Sequence, residues 1–377
     1  MKTVVYFSKT NLNTDGRILN QLQIIQKHLK EIQLDFILFA DKPLKIEIGE
    51  NIRIHEIQTG IRNSIWLRPI TVFDFTLRSL FKLHKLKPTI IHAQDTAVCL
   101  PVLLYKLLIN RKVDIIYDDH EMLNENASIS SRFYNIFEVK LMKIATSVIF
   151  ANKERMEILK NKYKLTNRCT YFLNLPYYEN HEELWDQSSL AKLKEVKRLK
   201  DEGCKFIIHQ GVIAIERGRS KLAAFSKLLP KNVKIMLLGG SSEDYYRFIK
   251  EFNLESEKFH FIGTVNYTVL NAFWKHGMAS VVMYLPNYIN NKLCAPNRLY
   301  ISAKNGIPII VNKNNPVLSN FITQYNCGIY IEDLDSPELI ISTLNKPQRN
   351  IDFEFEKLRL NQIENFVSVY KNIVFKV

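Results

Sequence analysis

The sequence predicts an α/β protein built from two successive doubly wound units, each a parallel sheet covered by helices. Three observations lead there. Short β-branched apolar runs alternate with segments of helical period along nearly the whole chain, the pattern of parallel strands joined by crossover helices. The series restarts once, after a polar break. At 377 residues the chain also exceeds the usual size of one domain.

In the first series the strand candidates are Thr3–Phe7, Leu34–Phe39, Ile52–Ile57, Thr89–His92, Asp114–Tyr117 and Ser147–Phe150. Helical periods fill the gaps near Gly16–Glu31, Thr71–Lys87, Thr96–Ile109, Ser131–Ile144 and Lys153–Lys162. The break comes between Asn174 and Asp186, where Pro176 and a polar cluster interrupt the periodicity. A charged helix, Leu190–Lys200, then leads into strands at Phe206–His209, Val233–Leu238, Phe259–Phe261, Ala279–Met283, Pro308–Val311 and Gly328–Ile331. The segment Phe353–Phe375 has helical period, no strand follows it, and it is expected to return to the first domain. Residues 1–178 with 356–377 therefore form one expected domain, and 179–355 the other.

Apolar residues make up 46% and charged residues 24%, the balance of a soluble globular protein. The start, MKTVVYFSKT, lacks the long apolar stretch of a leader, so export is not expected. Five scattered cysteines without a CxxC pair read as reduced thiols of a cytosolic protein. The net charge is +14, and residues 1–178 hold 26 basic against 17 acidic residues, or +9 of it. Such a balance suits a phosphorylated small molecule or an anionic membrane surface; without a zinc finger, RNP-like motif or basic-region helix, nucleic acid is not expected. A compositional bias toward Lys, Asn and Ile is the other source of the charge. The segment Ser64–Lys87 interleaves Trp66, Phe73, Phe75 and Phe81 with basic residues, so it either lies on a membrane surface or packs an apolar stripe on the sheet.

Six strings carry chemistry. In TDGRILNQ, Thr14 or Asp15 can cap a helix, Gly16 allows close backbone approach, and Arg17 adds positive charge to the helix N-terminus; the plain reading is a capped helix with Arg17 on the surface. In IIHAQD, His92 and Asp95 lie at a strand's carboxyl end, where ligands bind in open α/β sheets, although Asp95 serves equally as an N-cap for the helix at Thr96. In IIYDDHEML, three acids surround His120, and Asp118 or Glu121 can fix its tautomer, leaving the other nitrogen for a hydroxyl. HQGVIAIERGRSKL places Gly211 at a tight turn and Gly218 at a helix start. LLGGSSED puts Gly239 in a strand–helix turn, open to a base or ribose. APNRLYISAKNGIPIIV opens a helix after Pro296.

In order and spacing these strings resemble the retaining GT-B glycosyltransferases of bacterial polysaccharide and lipopolysaccharide synthesis, the glycosyltransferase family 4 type. The resemblance runs from Thr14 to about Tyr330 and implies a GT-B fold, two Rossmann-like domains facing a central cleft with a C-terminal helix crossing back. It implies transfer of a sugar from a nucleotide-sugar donor to a glycan or lipid-linked acceptor, retaining and without a bound metal or other cofactor. Gly16 and Arg17 would face the donor or acceptor. Arg217 matches the family's phosphate-binding basic residue, with Gly211 and Gly218 shaping its loop. Pro296, Asn297, Arg298 and Leu299 match the string whose helix N-terminus faces the donor phosphates, and Gly239 the nucleoside. His120 and Asp95 would orient the reacting groups.

Two departures stand out. Val212 occupies a place where the family often has a second basic residue, and Arg219 is the candidate replacement. The family's ribose-gripping glutamate falls at Ile301, and its partner acid at Leu293. The same fold also carries nucleotide-sugar epimerases and can serve as a non-catalytic subunit supporting an active partner, and these remain alternative readings.

Overall fold

The computed structural model describes residues 2–12, 15–39, 52–58, 68–124, 126–176, 186–265, 267–344 and 351–375. By contact, the chain divides into Met1–Leu173 with Asn361–Val377, and Asn174–Leu360. Thr14, Trp66 and most of the polar break, residues 177–185, lie outside the described residues.

Among the described residues the first unit holds seven strands: β1 (Lys2–Lys9), β2 (Ile32–Phe39), β3 (Ile52–Glu56), β4 (Ile90–Gln94), β5 (Asp114–Asp119), β6 (Ser147–Phe150) and β7 (Arg168–Tyr171). Their order is β3-β2-β1-β4-β5-β6-β7, and every pairing is parallel. Central strands buried on both faces must be apolar throughout; Val4–Phe7 and Ile115–Tyr117 are fully buried. The sequence did not disclose β7, four residues of mixed polarity at the sheet edge, none of them fully buried.

One expected helix, Thr96–Ile109, divides into a 3-10 turn (Thr96–Val98), an α-helix (Cys99–Leu104) and a π-helical turn (Tyr105–Ile109). The terminal helix spans Ile351–Phe375. From Asn361 it belongs to the first unit, burying Phe366, Val369 and Tyr370. Gln362 Oε1 accepts from the Leu173 amide at 2.9 Å, and Lys2 donates to the Ile373 carbonyl at 2.9 Å.

The second unit contains β8 (Lys205–Gln210), β9 (Val233–Leu238), β10 (Phe259–Gly263), β11 (Gly277–Val282), β12 (Ile309–Val311) and β13 (Gly328–Tyr330). All are parallel, in the order β10-β9-β8-β11-β12-β13. Leu222, Phe225, Phe248 and Ile310 belong to one core cluster of this unit, and Val196, Phe273, Trp274 and Ile301 to another.

Both sheets reverse their winding once, between β1 and β4 in the first and between β8 and β11 in the second. Ligands of doubly wound sheets bind outside the carboxyl ends of the strands at that reversal. Among the described residues no helix is long and apolar enough to cross a membrane. Among the described residues no two cysteines form a disulfide.

Candidate functional site

In the first unit the reversal point carries a buried polar network. Tyr6 on β1 places its hydroxyl 2.5 Å from Gln21 Oε1 and 2.8 Å from Gln94 Oε1 at the end of β4. Asp118, at the end of β5 and fully buried, accepts from Gln21 Nε2 at 2.6 Å and from Arg17 Nη2 at 2.8 Å. Arg17 Nη1 donates to the Phe172 carbonyl at 2.6 Å. Burial would raise the Asp118 carboxyl, but Arg17, then His120, hold it well below the usual range. The expectation that Arg17 lies on the surface is corrected here: its guanidinium is buried and pairs with Asp118. Gly16 follows Asp15, which caps the helix Gly16–His28 by accepting from the Ile18 amide.

His120 and Asp95 form the part of this network that reaches solvent, with side chains 17% and 34% exposed. His120 Nε2 approaches Gln94 Nε2 and lies 3.8 Å from Asp118. Its Nδ1 lies 3.6 Å from Asp95 Oδ1, too far for a direct hydrogen bond. Burial lowers the His120 pKa, yet Asp95, with Asp118, outweighs it and the net direction is upward.

Asp95 does not cap the turn that follows it. Its backbone sits at φ 68°, ψ 160°, a region nearly restricted to glycine that costs about 1–3 kcal/mol and gathers at functional sites. Burial, above all, pushes its carboxyl up to about 6. An unfolded aspartate titrates near ~4, so folding takes up a proton between these values and this residue's contribution to stability falls as pH rises from ~4 to about 6. Asp95→Asn is expected to lower the His120 pKa, read by NMR titration of the ring protons; an unmoved titration would remove Asp95 from this role.

The other members of the two first-unit strings turn away. His92 is fully buried on β4, with Nδ1 on the Tyr370 hydroxyl of the terminal helix. Asp119 faces Glu138, which accepts from Tyr117 at 2.6 Å and Asn135 at 2.8 Å, and burial followed by Glu138 raises its pKa. Glu121 is exposed, and the group beside His120 Nε2 is instead Gln94, which the sequence reading passed over.

In the second unit the reversal point is cationic. Gly211 follows β8 with φ 107°, and a methyl group there would fall 2.0 Å from Arg217 Nη1. Arg217 lies in a short 3-10 turn ended by Gly218, whose φ of 71° and ψ of 36° open the helix Arg219–Lys227. The guanidiniums of Arg217 and Arg298 lie 5.5 and 4.9 Å from the ring centre of Tyr284, just beyond β11. Tyr284 was not anticipated, although its place beside the reversal point marks it.

Arg298 is buried and donates to the Gln210 carbonyl at 2.5 Å and the Met283 carbonyl at 2.9 Å. Burial brings its pKa down to about 10, so it stays charged at neutral pH. Among the described residues no carboxylate pairs with Arg217 or Arg298. Burial, then Arg298 and Arg217, press His209 down to about 3. That ring is neutral at pH 7, and the positive charge here belongs to the two arginines.

Arg219 does not replace the missing second base, since it pairs with Glu251 and covers the Phe252 ring. Gly239, at φ 102°, is packed by backbone rather than left open: a Cβ would lie 3.3 Å from Gly211 Cα. Pro296 occupies the cap position of the helix Asn297–Lys304, and Asn297 Nδ2 donates to the Asn174 carbonyl at 2.8 Å. Leu299, expected at the donor, is fully buried core. Ile301 joins the cluster of Phe206, Ile208 and Phe273, so the helix turns an apolar side into the core where the family's glutamate would stand.

Two doubly wound units in tandem are the architecture of the GT-B fold. No protein-family model matches the sequence, and no curated protein matches it. Among solved structures the chain is similar to a sucrose-phosphate synthase from Thermosynechococcus elongatus, with TM-score 0.72, 13% identity and 100% of each chain covered. It is similar to HepE of Anabaena in complex with UDP, with TM-score 0.67, 13% identity and 100% of each chain covered; HepE is also solved with UDP-glucose. A UDP-N-acetylglucosamine 2-epimerase is similar at TM-score 0.62 and 10% identity, over 100% of this chain and 97% of that one. At such identities the likeness establishes the fold, which is the one expected.

Proposed function

We propose that the chain is a glycosyltransferase that moves a sugar from a nucleoside-diphosphate donor to a glycan or lipid-linked acceptor in bacterial surface polysaccharide synthesis. The observation that carries this reading is the pair Arg217 and Arg298. A buried cation without a carboxylate partner is costly unless an anion completes it. The first unit neutralises Arg17 with Asp118; in the second the charges of Arg217 and Arg298 meet no carboxylate among the described residues, and Arg217 is the one partly exposed to a ligand. A diphosphate fits that charge, and guanidiniums bind its oxygens in pairs. The solved complexes of HepE with UDP and UDP-glucose support a nucleotide-sugar donor.

In this reading negative charge grows on the leaving diphosphate as the sugar bond breaks, and Arg217 with Arg298 stabilises it without a metal ion. His120 and Asp95 hold and orient a hydroxyl. No carboxylate is assigned as a covalent nucleophile, so attack on the same face with retention is the proposed course. With Ile301 in the core, the ribose is held by other groups.

Calorimetry with a panel of nucleoside diphosphates is expected to give binding to at least one, and heat release should fall in high salt. Absence of binding to every member would instead favour a non-catalytic subunit. The similarity to an epimerase, together with the Asp95–His120 pair, supports a second reading in which the donor sugar itself is altered. Incubating donor without acceptor separates the two, since only an epimerase returns an altered nucleotide sugar.

A further inference from the structure

We infer that the first unit carries a docking face for an anionic lipid bilayer, formed by the helix Arg68–Leu86 and the adjoining π-helical turn Tyr105–Ile109. The helix is apolar on two sides. Phe75, Ser79 and Leu83 turn into the core. Ile70, Phe73, Leu77 and Phe81 recur at the spacing of one helical face and are 54%, 65%, 50% and 68% exposed. The π-helical turn packs against this helix and exposes Leu107, Leu108 and Ile109. Among the described residues the stripe is left open to solvent, and of Phe73, Phe75 and Phe81 it is Phe75 that packs into the core as expected.

Large apolar side chains gathered on one surface mark an interaction site. Charge decides the occupant. Arg78, Lys82, Lys85, Arg111 and Lys112 accompany the stripe, and Asp74 is the one acidic residue in Arg68–Leu86 and Tyr105–Lys112. A second copy docking by twofold symmetry would set this basic rim against itself. Phosphate headgroups complement it, while the phenylalanines enter the acyl boundary, as amphipathic basic helices do. This inference rests on the exposure and charge of one face and not on the transferase reading; failure to bind any nucleotide would leave it standing.

The test is flotation of the full chain with vesicles of phosphatidylcholine alone, or mixed equally with phosphatidylglycerol. Binding is expected to the mixed vesicles, weakening with salt. Phe73→Ser with Phe81→Ser should weaken it about tenfold or more. Lys82→Gln with Lys85→Gln should weaken it by about 30-fold, at the usual contribution of a basic residue near an anionic surface. All four positions are at the surface, and unchanged circular dichroism and thermal melts establish that the variants fold. Equal binding to both vesicle types, no binding to either, or variants that bind as the parent does would overturn the inference. A lipid-free dimer that dissociates in the phenylalanine variant would also overturn it, by assigning the face to self-association.

Discussion

Arg217→Ala is expected to reduce sugar transfer by about 10²–10³-fold, the usual loss when one preorganised donor to a developing anion is removed. Thermal stability should change little. The Arg217 side chain is partly exposed, lies over the Tyr284 ring and Gly211, and has no carboxylate partner among the described residues, so its removal strands no buried charge. The loss should appear mainly in kcat, because charge on the diphosphate is greatest as the sugar departs. Gly211→Ala should imitate the defect, since a methyl group at φ 107° displaces the guanidinium tip. Full transfer by Arg217→Ala would remove it from the mechanism and leave Arg298, which is fixed by two carbonyls, as the remaining cation.

Arg17→Met is expected to destabilise the first unit by about 3–5 kcal/mol, the range for breaking a buried ion pair by removing one partner. Asp118 is fully buried, and without Arg17 it keeps Gln21 as its bonded neighbour, with His120 3.8 Å away. The sign of the pH dependence distinguishes this from a packing defect. In the parent, the Asp118 pKa is depressed in the folded state, so its contribution is complete above the unfolded value near ~4 and is lost as pH falls through the folded value. In the variant the lowering by Arg17 is gone, so the folded pKa lies above the parent's and less stability is gained as pH rises past ~4. The gap between parent and variant should therefore widen from acid to neutral pH in urea melts. A pH-independent gap would mean that the pair is not charged as described.

The fold was legible because strands buried on both faces, such as Val4–Phe7 and Ile207–Ile208, must be written in apolar residues, and the break before the second series is polar. The edge strand Arg168–Tyr171 was not legible, having neither length nor apolar pattern. Sequence position brought Asp95, His120, Arg217 and Arg298 to the carboxyl ends of strands, but it could not assign partners. Arg17 and Arg217 each stand near a glycine at a helix start, yet only Arg17 meets an aspartate, donated by a strand 101 residues away. Nor does spacing reveal backbone strain: Asp95 reads as an ordinary cap until its φ is known. Leu299 and Gly239 matched a pattern whose physical need here is core packing and close backbone approach.

A crystal structure with the tightest-binding nucleoside diphosphate tests the central claim most directly. The account predicts diphosphate oxygens within hydrogen-bonding distance of the Arg217 guanidinium beside Gly211, with Tyr284 and Arg298 immediately behind. A diphosphate seated elsewhere on the second unit, with Arg217 still lying on Tyr284 and touching only solvent, would contradict it.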